Sequence, residues 1–141
     1  MAQWLIPWNP SYFDTDAAFA ALPELDWSEA GPRMDVGDLV LLYGTAPIKA
    51  LTHVCEITRI GMPAREVIPD DEFLVGARPH AERHPRGFMR LRLRHALDEA
   101  ERAELGIDTL RHLGQTVVRF RTRLAPDAAR YAADLLDLRR G

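Results

Sequence analysis

Met89-Arg90-Leu91-Arg92-Leu93-Arg94 decides how this chain is read. Apolar and charged side chains alternate with a period of two, so one face of an extended segment enters a core and the other meets water. A strand wetted on one side belongs to an antiparallel sheet, because parallel sheets are covered on both faces. The same device recurs where Val118, Phe120 and Leu124 alternate with Arg119, Arg121 and Arg123, which predicts a second such strand.

Working outward, Trp4-Leu5-Ile6-Pro7-Trp8 predicts a first strand stopped by Asn9-Pro10. Asp14-Thr15-Asp16 offers capping oxygens for a short helix that carries Phe19 and Leu22 and ends at Pro23. Val36-Gly37-Asp38 is a turn into Leu39-Val40-Leu41-Leu42-Tyr43, a run that suits a strand buried on both faces. Leu51 to Ile60 reads as a long strand, and residues 61–87, with four prolines, as a loop. Asp98 and Glu101 have capping-box spacing, with Gly106 closing that helix. Asp108 caps another helix ending at Gly114, and Pro126 opens a last one on which Ala128, Tyr131, Leu135 and Leu138 recur at helical spacing. This order lacks the strand–helix alternation of a parallel α/β sheet. The fold class expected is α+β: a curved, mostly antiparallel β-barrel with short helices packed at its ends.

The chain has 141 residues, 47% of them hydrophobic and 28% charged, which fits a single domain over 1–141. No apolar run reaches the ~20 residues of a membrane span and no signal peptide is evident, so a cytoplasmic protein is expected. The net charge of −3 argues against a general nucleic-acid coat, but its distribution is uneven. Residues 1–32 hold five acids and no base, whereas six arginines and three histidines stand between Arg78 and His95 against one acid, Glu82. Cys55, the lone cysteine, reads as a small buried hydrophobe.

Catalytic patterns are sparse. The histidines lack metal spacing on any predicted helix, His80 and His84 lie in a proline-rich loop, and there is no phosphate loop or nucleophile elbow. No metal or cofactor is expected. The aromatic residues say more, since all three tryptophans fall in the first 27 residues. Trp4 and Phe19 read as core. Trp8 and Trp27 instead fall at a strand end and in a loop, beside Asn9, Pro10 and Ser28. Flat rings next to amide and hydroxyl groups suit an unpaired nucleobase, with stacking holding the ring and edge hydrogen bonds selecting it.

The ordered set Trp4-Leu5-Ile6-Pro7-x-Asn9-Pro10, Tyr12, Phe19, Asp26-Trp27-Ser28 and Val36-Gly37-Asp38, then Leu42-Tyr43 and Pro47, resembles the EVE domain family. That family is a branch of the PUA-like superfamily, which also holds the YTH and ASCH domains. The likeness runs over about 3–62, resumes at Met89–Leu97 and continues to Gly114. It implies a barrel-like sheet and a pocket for modified bases, such as 5-substituted cytosines, in DNA or RNA, with a nuclease encoded nearby as a possible partner. By matching position, Asn9 and Pro10 would border the pocket, Trp27 and Tyr43 would wall it, and Ser28 would contact the base edge. Ile48 follows Pro47 where an aromatic often stands in relatives, and 63–87 matches nothing. Arg83, Arg86 and Arg90 are the candidates for phosphate contact. The reading is a binding module, not an enzyme. The alternatives are an ASCH-type amidohydrolase acting on modified nucleosides through Lys49, Thr52 and Glu56, and a domain that takes a peptide or small ligand.

Overall fold

The computed structural model describes residues 1–75 and 87–138. Six strands form one sheet: β1 (Gln3–Trp8), β2 (Glu24–Ser28), β3 (Leu39–Gly44), β4 (Ala50–Met62), β5 (Phe88–Ala96) and β6 (Thr122–Arg123), in the spatial order β2-β5-β4-β3-β1-β6. Four α-helices accompany it: α1 (Thr15–Ala21), α2 (Glu99–Glu104), α3 (Ile107–His112) and α4 (Pro126–Leu136). Among the described strands only β1 and β3 pair in parallel.

Side-chain parity sorts the core into two layers. Trp4, Ile6 and Trp8 of β1 and Val40 and Leu42 of β3 face one way, where Phe19, Leu25, Cys55, Ile57, Met89 and Leu91 join them inside the curl of the sheet. Leu5, Leu39, Leu41 and Tyr43 face the other way, under α2, α3 and α4. Asp38 ties the first strand down by accepting hydrogen bonds from Ala2 N at 3.0 Å, Trp4 Nε1 at 2.9 Å and Asp35 N at 3.0 Å.

Against β3, the register of β4 shifts once. Leu42 pairs with His53 but Tyr43 pairs with Leu51, so Thr52 is an extra residue in a β-bulge. The bulge turns both Thr52 and His53 toward the Trp8 face, where strict alternation would have divided them.

Several expectations are corrected here. The sheet's two edge strands are β2 and β6; among the described residues no ladder joins them, and the place where they approach is a seam. Across that seam Arg121 Nη1 donates to the Ser28 carbonyl and, at 2.9 Å, to the Ala30 carbonyl. Trp27 lies on an edge strand, not in a loop. Of the stretch 118–124, only Thr122 and Arg123 pair as strand, and Phe120 is exposed rather than inward. Asp98 and Glu101 do form a capping box, but Gly106 serves as the N-cap of α3, which leaves Asp108 within its first turn.

Candidate functional site

A cavity of about 550 Å³ opens beside this seam. Its walls come from the end of β1 and the turn after it (Trp8, Asn9, Tyr12, Phe13), from β2 (Asp26, Trp27, Ser28), from the 64–74 segment, and from Phe88 and Arg121. The segment is held to the first turn by main-chain bonds, Asp14 N to Phe73 O at 2.8 Å and Val75 N to Tyr12 O at 2.9 Å. Phe13 and Phe73 meet edge to face with ring centres 6.4 Å apart.

Four of the expected pocket residues, Trp8, Asn9, Trp27 and Ser28, therefore line one space, although β1 and β2 are not neighbours in the sheet. Their chemistry differs. Trp8 is buried, and its indole N–H is taken by Thr52 Oγ1 at 3.0 Å, so it offers a ligand only ring surface. Trp27 is half-buried and packs one side on the core. Asn9 accepts from Ser11 N through Oδ1 at 2.8 Å, which leaves its amide NH₂ for a ligand.

Pro10 and Tyr43 do not line the cavity. Pro10 belongs to a turn closed by Tyr12 N and Phe13 N on the Asn9 carbonyl. Tyr43 shares the parity of Leu39 and Leu41, which carries it to the helix-covered face, and burial there pushes its hydroxyl pKa up. Arg90 is already engaged: it donates to Asp26 through Nε at 2.9 Å and Nη2 at 3.0 Å, and reaches Glu66 O at 3.3 Å. Asp26 also accepts from Ile68 N at 2.8 Å, so this paired carboxylate fastens the 64–74 segment to β2. Arg83 and Arg86 lie outside the described residues, as do His80 and His84.

Lys49, Thr52 and Glu56 are not brought together. Lys49 is exposed in a turn with φ 53°, Thr52 is enclosed against Trp8, and Glu56 pairs with Arg94 at 3.1 Å. Cys55 is fully buried, and desolvation pushes its thiol pKa up. Among the described residues no group of three His, Cys, Asp or Glu side chains is placed to hold a metal ion. Nor, among them, is any helix long and apolar enough to cross a membrane.

Behind Trp8 runs a polar chain that sequence reasoning missed. His53 Nδ1 lies 2.7 Å from Thr52 Oγ1, its Nε2 lies 3.3 Å from Asp16 Oδ1, and Arg102 Nη2 donates to the same Asp16 oxygen at 2.6 Å. A carboxylate beside Nε2 calls for a proton there, which makes Nδ1 an acceptor for the Thr52 hydroxyl, whose one proton is shared between this 2.7 Å contact and the Leu42 carbonyl at 3.3 Å. Burial drives the His53 pKa down; Asp16 opposes this and Arg102 reinforces it, with a net value of about 4. No sequence signal joins these residues, because the bulge that aligns two of them has no mark in the hydrophobic pattern.

No family model and no curated protein sequence matches the chain. Solved structures do. An ASCH protein from Zymomonas mobilis superposes with a TM-score of 0.59 at 12% identity, over 95% of each chain. A Pseudomonas putida protein gives 0.60 at 18%, covering 98% of this chain and 99% of its own. A Rhodopseudomonas palustris protein solved by NMR gives 0.57 at 14%, over 98% and 94% respectively. The chain therefore shares its fold, a mixed α+β one, with these solved structures, the Zymomonas mobilis ASCH protein among them.

Proposed function

We propose that this protein is a nucleic-acid-binding module that receives a single base, of the modified kind that EVE-like domains would read, in the cavity at the seam. The observation that carries the reading is the convergence of Trp8, Asn9, Trp27 and Ser28 on one open space of about 550 Å³. Rings from separate strands provide stacking surface, and the Asn9 amide and Ser28 hydroxyl stand within the same walls to satisfy a polar edge. Both are needed, since a buried donor or acceptor left unpaired costs about 1–3 kcal/mol and would cancel the gain from stacking. The PUA-like fold supports the same class of partner. The positions of Lys49, Thr52 and Glu56 give the amidohydrolase alternative no assembled site.

The test is binding of nucleosides and short single-stranded DNA and RNA, with cytosine and 5-methylcytosine compared, by calorimetry. Trp27→Ala should weaken binding about tenfold or more, from loss of one stacking wall. Equal affinity for wild type and variant would remove the cavity from the account.

A further inference from the structure

We infer that Arg119-Phe120-Arg121-Thr122-Arg123 forms a second contact element beside the cavity, which stacks and holds the nucleotide next to the one whose base enters. This rests on the proposed base-binding reading and extends it to a neighbouring subsite.

Phe120 is 72% exposed, whereas the next most exposed Phe, Tyr or Trp among the described residues, Tyr12, is 44% exposed. A lone exposed phenylalanine is unremarkable, but its surroundings are specific. The next residue, Arg121, turns inward, lines the cavity and grips the Ser28 and Ala30 carbonyls. Phe120 is thereby tethered one residue from the cavity wall, with its ring left in water. Arg119 and Arg123 flank it, both exposed, and no acid stands between Asp108 and Asp127. Among the described residues neither flanking arginine meets a carboxylate; the Arg123 guanidinium instead lies 4.7 Å over the Trp4 ring. An open aromatic ring between two cations matches a base next to its phosphates, since every base has a face to stack and every linkage a charge to neutralise. A peptide ligand would call for an apolar groove, and one ring between arginines does not supply it. The Arg-Phe alternation thus has an outlet that its strand reading left unexplained.

The test compares free 5-methylcytidine and its deoxy counterpart with single-stranded ribo- and deoxy-pentanucleotides that carry the same base centrally. Phe120→Ala should bind the pentanucleotides about tenfold more weakly while nucleoside affinity stays at the wild-type value. Phe120→Trp should retain pentanucleotide binding. Arg119→Gln should lower the slope of log affinity against log salt by about one. Unchanged pentanucleotide affinity in Phe120→Ala, with nucleoside binding intact, overturns this subsite and leaves the cavity reading standing. Wild-type protein that binds neither nucleoside nor pentanucleotide overturns both, and tight capture of a peptide unaffected by these oligonucleotides does the same.

Discussion

Trp8 and Thr52, 44 positions apart, are joined by a hydrogen bond of 3.0 Å from the indole N–H to the threonine hydroxyl. That bond sets the plane of the ring that forms the inner wall of the cavity. Thr52→Val keeps the shape and deletes the hydroxyl, which strands the Trp8 N–H and His53 Nδ1 in the interior. Urea unfolding should show a loss of about 2–3 kcal/mol, with Thr52→Ser close to wild type. A valine variant as stable as wild type would mean the hydroxyl bonds contribute nothing.

His53 makes stability depend on pH in a defined direction. Its folded pKa of about 4 lies below the unfolded value of about 6.5, so the folded protein binds this proton less readily. The contribution is complete above pH ~6.5 and is lost as pH falls from there toward about 4. Melting temperature should decline over that interval, and His53→Gln should flatten the upper part, above the range where carboxylates titrate. Identical slopes in wild type and variant would rule the histidine out as the source.

Asp38 acts lower on the scale. Burial alone would raise its pKa, but the N–H donors of Asp35, Trp4 and Ala2 outweigh burial and hold it below the ordinary carboxylate value. Its stabilisation is therefore present above pH ~3.9 and disappears as pH drops through the folded pKa. Asp38→Asn should lower stability at neutral pH by about 1–2 kcal/mol and remove part of the acid transition, as followed by tryptophan fluorescence.

Arg90 should behave as a structural residue. The Asp26 side chain is fully enclosed and the guanidinium only 19% exposed, so removing one partner leaves the other unmatched. Asp26→Asn should cost about 3 kcal/mol and speed amide exchange across the 64–74 segment. Arg90→Met should leave the salt dependence of oligonucleotide binding where it was. A reduced slope would restore this arginine as a phosphate contact.

How much of this was legible depends on the range of the interaction. The alternation at Met89–Arg94 and the Asp98–Glu101 box are written locally, and both give the elements they imply. Tyr43 was misplaced although the clue was present, since Leu39, Leu41 and Tyr43 share one parity along β3. β2 does alternate, with Leu25 and Trp27 between Glu24, Asp26 and Ser28, but five residues after a helix and Pro23 are too short a run to mark a strand unaided. Its edge position is set by pairing with β5, which follows some sixty residues later. The Asp16–His53 contact and the Asp26–Arg90 pair arise only when distant segments meet. The arginines at 119–123 carried a true period of two, yet only two residues found a partner strand in β1.

Arg121 closes the seam by one side chain, and Arg121→Ala should loosen it. Faster amide exchange in 24–30, together with a loss of about 1–3 kcal/mol, is the expected result. Ser28 and Ala30 both accept through main-chain carbonyls. The clasp is therefore blind to which amino acids occupy 28 and 30, and a single codon specifies it. Mutation can reshape the lip opposite to suit a different guest while the fastening stays where it is.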